Sequence, residues 1–472
     1  MAAVTGRVSA PPAIAAQAAV LHAYLQAARP EKHGMRLRGF PAMHLRRRPW
    51  AGILPCLAAV LAAVAMASAS AVVHAQGATA WTFDQVLQQA LQSHPAVQGK
   101  RSAQAAARAD LDGAQWQRYP SLSAEVPTGS RETGGVVRID QPLWSGGRID
   151  AGIDAAGSRV DAAGAAIEEE RLTLSLRVIS AYTEALRQTA RVRSAEEGLA
   201  EHQRLLEMIR RRVVQSVSSQ TDQRLAESRA YQAANDVSNA RQALENALAQ
   251  LSQLAGKPVR VVSSTGVGVG EPLPDASLDR VMRQAISYSP TLQRLDYEAQ
   301  AADSEITLQR SAYLPKVVLR VEKPTGGINA DNRTRAMLVL QAQPGAGLSA
   351  KAGVDAAVAR REGARAAHDA AERDVRERFT LDWNEAEASR QRLGNAGEAS
   401  TTSTQVFESY ARQYVIGRKS WNDVLNAVRE ATQAQFALED TRAQAIAASL
   451  RLAAQTGTLA GRTAPAASAR AN

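Results

Sequence analysis

Aromatic side chains are scarce in this chain: five phenylalanines, nine tyrosines and six tryptophans make up 4% of its 472 residues. Large globular cores lean on such rings, so a long alanine-rich chain without them points to long helices that approach one another closely. Cysteine is nearly absent. The one thiol, Cys56, follows Pro55 inside an apolar run, where a lipoprotein signal would carry a small residue. No lipid anchor, disulfide or thiol chemistry is expected of the mature chain. Histidine is sparse as well, and four of the seven (His22, His33, His44, His74) precede residue 76, which argues against a histidine-built metal site. Ser145-Gly146-Gly147-Arg148 lacks the flanking spacing of a phosphate loop, and no Walker lysine is found. The acidic run Glu168-Glu169-Glu170 reads as a solvated helix face, as does Arg210-Arg211-Arg212. No catalytic residue, cofactor or metal is assigned, and the chain does not read as an enzyme.

The formal charge of +10 suggests nucleic acid, but it falls to +3 once residues 1–75 are set aside. That segment reads as a signal peptide with an N-terminal extension. Arg46-Arg47-Arg48 precedes the apolar run AGILPCLAAVLAAVAMASASAVV, and Val73-His74-Ala75 resembles a cleavage site. A transmembrane anchor is the other reading of the same run. Translation starting at Met35 or Met43 would shorten the extension. Mature protein is expected from about Gln76, with no nucleic-acid partner.

An internal repeat spans nearly all of the remainder. TFDQVLQQALQSHPAVQ from Thr82 aligns with SLDRVMRQAISYSPTLQ from Ser277, and Pro120 aligns with Pro315, all at a separation of 195. Further on the separation is 201: Gly152 with Gly353, Tyr182 with Trp383, Asp222 with Asp423 and Gly256 with Gly457. The expected division is a first repeat at 76–260, a linker at 261–276, a second repeat at 277–459 and a disordered tail at 460–472.

Each copy opens with a helix capped by Thr82 or Ser277, followed by a second helix over about Ala96–Arg118 or Thr291–Tyr313. Pro120 and Pro315 mark the boundary between that helix and two short alternating segments. These are Ser121–Pro127 and Gly135–Gln141 in the first copy, Lys316–Lys323 and Arg335–Gln341 in the second. Leu122, Ala124 and Val126 share one face. A long helix then returns, broken once at Val213–Asp222 and once at Tyr414–Asp423. The predicted class is mainly α with a small β part, built on duplicated long-helix hairpins. Four strands cannot close a barrel, and an open sheet in lipid leaves backbone groups unpaired. Three copies would supply twelve strands, a number within the outer-membrane range. The segments are shorter than the ~9–11 residues of an ideal spanning strand.

In LQQALQSHPAV, in QPLWSGGR (Gln141 to Arg148) and in YVIGRKSWNDVLNA (Tyr414 to Ala427), the chain resembles the TolC family of outer-membrane efflux and secretion channels. The resemblance implies a homotrimer with a 12-stranded outer-membrane β-barrel, four strands per chain, continued by an α-helical periplasmic tunnel. QPLWSGGR is similar to the form in channels serving type I secretion of large repeat toxins, such as adenylate cyclase haemolysin, or of adhesins. The implied partners are a periplasmic membrane fusion protein, an inner-membrane ABC transporter, the exported protein and outer-membrane lipid. In the family the helix breaks are hairpin tips that close the tunnel entrance at rest. On that pattern Asp423 matches a constriction carboxylate, with Asn426 where some members carry a second one. Asp222, Tyr414 and Lys419 match a closed-state latch, with lysine where arginine is common. Gly417 matches a tip-turn glycine, and Ser216 replaces it in the first copy. Without the resemblance, Asp423 is a helix N-terminal acid, Tyr414 a packing residue and Lys419 a solvated charge. Trp144 and Trp81 fit a headgroup-level belt, and Trp81 fits ordinary packing equally well. Small-molecule efflux remains open as a function, as does a non-pore coiled-coil scaffold.

Overall fold

The structure, a computed structural model, describes residues 80–126, 135–267, 277–325, 333–342 and 349–459. The chain divides into two units, Met1–Ala75 and Gln76–Asn472, and every described residue lies in the second. The leader with its cleavage site, residues 268–276 of the linker, the 326–332 loop and the tail fall outside the described residues.

Helix α1 (Phe83–Ser93) starts at a reciprocal cap: Gln85 N–H donates to Thr82 Oγ1 at 3.4 Å, and Thr82 N–H donates to Gln85 Oε1 at 3.0 Å. Phe83, Val86, Leu87 and Ala90 bury one stripe of it. Pro95 then opens α2 (Pro95–Trp116) from its first position, where a missing N–H costs nothing. The second copy repeats the arrangement with α5 (Leu278–Tyr288) and α6 (Pro290–Arg310). Ser277 is the N-cap of α5, as expected, although its side chain makes no capping bond. Both second helices also end earlier than expected, α2 at Trp116 and α6 at Arg310, because the chain tightens into short i→i−3 turns before each proline.

Pro120 stands directly before β1 (Ser121–Glu125) and Pro315 directly before β3 (Lys316–Thr325). With β2 (Gly135–Trp144) and β4 (Arg335–Gln341) they form one antiparallel sheet in the order β1-β2-β3-β4. Strands β2 and β3 each run for 10 residues, longer than the sequence suggested. Pro142 pairs with Val318 and Trp144 with Val317, a register shift between them, so β2 passes through the proline instead of stopping. Gly146 and Gly147, at φ 63° and 84°, then turn the chain into α3 (Arg148–Val214). A Cβ on Gly146 would lie 2.8 Å from that of Leu314, so the turn demands glycine twice over.

Helices α3 and α7 (Ser349–Val415) are 67 residues each, about 100 Å at 1.5 Å per residue. Each folds back on a shorter partner, α4 (Gln220–Ala255) or α8 (Trp421–Gln455). The main core lies where α1 meets α3, α4 and the end of α8, around Phe83, Leu87, Leu174, Ile179, Tyr182, Leu251 and Leu450. Its counterpart around Val281, Phe379 and Leu452 is smaller. The repeat-matched Tyr182 and Trp383 each meet a phenylalanine there: Phe83 meets Tyr182 edge-on at 5.5 Å, and Phe379 stacks on Trp383 at 6.4 Å. The Tyr182 hydroxyl lies 2.6 Å from Ser263 O and 2.9 Å from Trp81 O. It thereby fastens an isolated parallel bridge between Trp81 and Val262, and Trp81 serves as a packing residue there. Burial pushes this phenol up to about 12.

Ion pairs stitch the helices together. Glu169 accepts from Arg294 of α6 at 2.6 Å, so the acidic run is not merely solvated. Asp440 of α8 faces Arg187 at 3.4 Å, and Asp382 of α7 binds Arg451 of α8 at 2.7 Å.

Candidate functional site

Two regions carry chemistry: the sheet, and the tips of the two long hairpins.

The register of the sheet separates its residues into two faces. On one face Leu122 lies opposite Ile139, Ile139 opposite Val321, and Leu319 opposite Leu338, while Ala124 pairs with Val137 and Val317 with Leu340. Leu122, Leu338 and Leu340 of this face are 72%, 67% and 70% exposed. Polar side chains enter it at its margins, at Gln141, Lys323 and Thr325. The opposite face is crossed by ion pairs. Arg138 binds Glu125 of β1 at 2.7 Å and Glu322 of β3 at 2.9 Å, and Arg320 grips Asp140 with two bonds of 2.7 and 2.9 Å. Fork-on-carboxylate geometry of this kind is directional and strong for an ion pair. Among the described residues, the outer edges of β1 and β4 have no strand partner. Trp144 ends β2 about half exposed.

At the tips the two copies use one backbone solution. Ser216 N–H donates to Val213 O and Val217 N–H to Arg212 O, both at 2.9 Å; Gly417 N–H donates to Tyr414 O and Arg418 N–H to Gln413 O, both at 3.0 Å. These are paired Schellman closures, and they place the residue after each helix in the left-handed region. Gly417 has φ 77° and Ser216 φ 58°, so serine adopts the geometry that the sequence left in doubt.

Both descending helices begin with a capping box. Ser219 and Asp222 exchange bonds of 3.1 and 3.3 Å at the start of α4, and Ser420 and Asp423 exchange bonds of 3.2 and 3.1 Å at the start of α8. The S-x-x-D spacing that announces these boxes is present twice in the sequence and was available to be read. Hydrogen bonds from the Ser420 side chain and backbone hold the Asp423 carboxyl below its usual range, with Lys419 adding a smaller pull. Asn426 follows one turn later on the same side of α8, also partly exposed.

Between the tips the contacts are aromatic. Tyr414 is buried, its ring 5.0 Å from that of Trp421 and its hydroxyl 3.2 Å from Ser218 Oγ. The Arg212 guanidinium lies 4.9 Å over the Tyr414 ring, so the Arg210–Arg212 run is not wholly solvated. Trp421 donates its indole N–H to Asp222 O at 3.1 Å. Lys419 lies 4.1 Å over the ring of Tyr410, on its own hairpin. Asp222, Tyr414 and Lys419 thus line one hollow of 360 Å³ beside Ser216, Gly417 and Trp421. Among the described residues no ion pair joins Asp222 to Lys419. Sequence reasoning missed Arg212 and Trp421; the tryptophan was visible, but nothing marked it as an anchor between hairpins.

Among the described residues no group of His, Cys, Asp and Glu is arranged to hold a metal ion, and no helix is long and apolar enough to cross a membrane.

A family model described as "Outer membrane efflux protein" matches residues 86–257. No curated protein matches the chain. Among solved structures, a membrane protein from Pseudomonas aeruginosa aligns at 17% identity and a TM-score of 0.71, covering 79% of this chain and 92% of that one. The outer membrane protein VceC of Vibrio cholerae aligns at 17% identity and 0.68, over 79% and 96%. The open state of the MtrE outer membrane channel of Neisseria gonorrhoeae aligns at 17% identity and 0.64, over 79% and 88%. The first repeat is thus similar to the outer membrane efflux protein family, and over 79% of its length the chain has the fold of these outer-membrane channels.

Proposed function

We propose that three copies of this chain form an outer-membrane channel, a twelve-stranded barrel continued by a helical tunnel into the periplasm. The observation that carries this reading is the two-faced sheet: an exposed apolar face of leucine, isoleucine and valine backed by a face of paired charges, with both edges unpaired. Lipid accepts the first face and a water-filled lumen the second. Edges left open in one chain are closed by neighbours, which satisfies the backbone groups that hydrocarbon cannot. The 10-residue lengths of β2 and β3 suit a spanning strand.

The hairpin tips then form the periplasmic entrance. Asp423 and Asn426 would line its constriction, and three copies of an Asp423 held ionised would favour cations there. Energy would come from partners, an inner-membrane ABC transporter and a membrane fusion protein, with the channel serving as a passive conduit for a protein exported by type I secretion. The cargo rests on the resemblance of Gln141–Arg148, a segment that also has a structural task as the bulge and glycine turn between β2 and α3. Small-molecule efflux is therefore the second reading.

The test is purification of the mature chain from outer membranes, with its oligomeric mass and its conductance in a planar bilayer. A trimer with small, cation-selective conductance is expected; a non-conducting species would move the coiled-coil scaffold to the front. Deleting the gene then separates the cargoes, since lost export of a large repeat protein supports secretion and heightened drug sensitivity alone supports efflux.

A further inference from the structure

We infer that the two hairpin tips of each chain are fastened to one another by an aromatic clip, Arg212–Tyr414–Trp421, and that Arg212 and Trp421 are positioning residues for the closed entrance. The inference rests on the channel reading above.

The carboxylates and ammonium group at the tips are engaged within their own hairpins. Asp222 and Asp423 close the capping boxes of α4 and α8, and Lys419 lies over Tyr410 of the helix that leads into its own turn. What crosses from the α3–α4 tip to the α7–α8 tip is different in kind. Arg212 of the first caps the Tyr414 ring of the second; Ser218 of the first meets the Tyr414 hydroxyl; Asp222 O of the first accepts the Trp421 indole N–H. Tyr414 and Trp421, in ring contact, stand at opposite sides of one turn, so the clip also fixes the opening angle of the α7–α8 turn.

Arg212 is suited to this task and to little else. Its neighbour Arg210 takes Glu207 and Glu227, whereas the Arg212 Nε is buried with no hydrogen-bond partner and its guanidinium plane lies against the ring. A guanidinium is weakly hydrated and stacks well on aromatic faces, so this contact tolerates burial where a lysine would not. Beneath the rings, Ile209 and Leu205 of α3 pack with Val424 and Leu425 of α8, which excludes water from the clip's inner side. A closure of this kind depends little on ionic strength. An ion-pair latch at a solvated entrance is weakened by salt, because the screening length shrinks to about 3 Å at 1 M.

The experiment uses the mature trimer. Cys56 is the chain's single cysteine and lies before residue 76, so a nitroxide pair at Val217→Cys and Ile416→Cys, both exposed, reports the separation of the tips without background labelling. Arg212→Gln, Trp421→Leu and Lys419→Gln are compared with the parent for label separation and for bilayer conductance at low and high salt. The clip predicts longer, broader label distances and a several-fold rise in resting conductance for Arg212→Gln and Trp421→Leu. It also predicts parental behaviour for Lys419→Gln, and no opening of the parent by salt. Opening by Lys419→Gln or by salt, with Arg212→Gln unchanged, overturns it. Arg212 is partly exposed, so its variant keeps the test available should Trp421→Leu not fold. A parent that does not conduct counts against the channel reading alone, because the label distances still decide whether the clip holds the tips.

Discussion

Ser216 and Gly417, at matched places 201 residues apart, share the left-handed backbone conformation that ends α3 and α7. A side chain in that region costs about 1–2 kcal/mol, and glycine escapes the cost. Nothing lies within 4 Å of a Cβ built on Gly417, so only the backbone distinguishes the two sites. Ser216→Gly is expected to stabilise its tip by about 1 kcal/mol and Gly417→Ala to weaken the other by as much. Amide exchange at Val217 and Arg418, whose N–H groups close the two turns, measures both. A loss of protection in Ser216→Gly would mean that the serine side chain holds the turn.

Tyr182→Phe keeps the ring against Phe83 but removes the hydroxyl from Ser263 O and Trp81 O. Loss of a buried donor of this type costs about 1–3 kcal/mol. Denaturant unfolding should register that loss, with the Trp81–Val262 bridge exchanging earlier than in the parent. In the parent, ultraviolet titration should find one tyrosine that resists ionisation until about pH 12.

His202 is buried on α3, with an Nδ1 that has no hydrogen-bond partner. Burial and the nearby Arg229 push its pKa below the usual value, against weaker opposing pulls from Asp236 and Glu201. The unfolded chain therefore binds this proton more readily than the folded one. Stability is complete above the unfolded value near 6.5 and declines as pH falls through the lowered folded value. Melting temperature should drop as pH falls below about 6.5, and His202→Leu should flatten that slope. An equal slope in the variant would assign the acid sensitivity to carboxylates.

Leu338 lies on the apolar face of the sheet and is 67% exposed. Leu338→Lys is expected to cost about 2–4 kcal/mol where the strand crosses mid-bilayer, and to deplete the protein from the outer-membrane fraction. Glu322→Gln, on the ion-paired face, should assemble at near-parental levels. Equal depletion by both would remove the distinction between the faces.

The architecture was legible because duplication repeats each signal: two prolines before two strands, two breaks in two long helices, two terminal glycines. Gly256 and Gly457 indeed both close helices in the left-handed region. Local rules failed where tertiary contacts overrode them. Pro142 reads as a strand end, yet β2 continues past it because β3 supplies partners on both sides of the shift. Ser277 occupies the N-cap of α5, yet its side chain makes no capping bond. Arg212 looked like surface because a run of three arginines gives no hint that a ring from a helix about two hundred residues away will cover one of them. The paired charges of the sheet were hidden for a similar reason: Arg138 and Glu322 become neighbours only through the register of β2 on β3.

The open edges of β1 and β4 have a consequence for the order of events in making this molecule. A row of unpaired N–H and C=O groups does not discriminate between a sister chain and any other extended segment. If three copies close the barrel as proposed, a lone subunit carrying such edges beside an exposed leucine face is at its most vulnerable before it meets its copies. Helix pairing along α3 and α7 is made of contacts within one chain and needs no partner, whereas sheet closure must wait for one. On that reading, folding from the hairpin tips toward the sheet would keep the adhesive end of the chain incomplete until neighbours are in place, so that assembly and membrane insertion would become a single step.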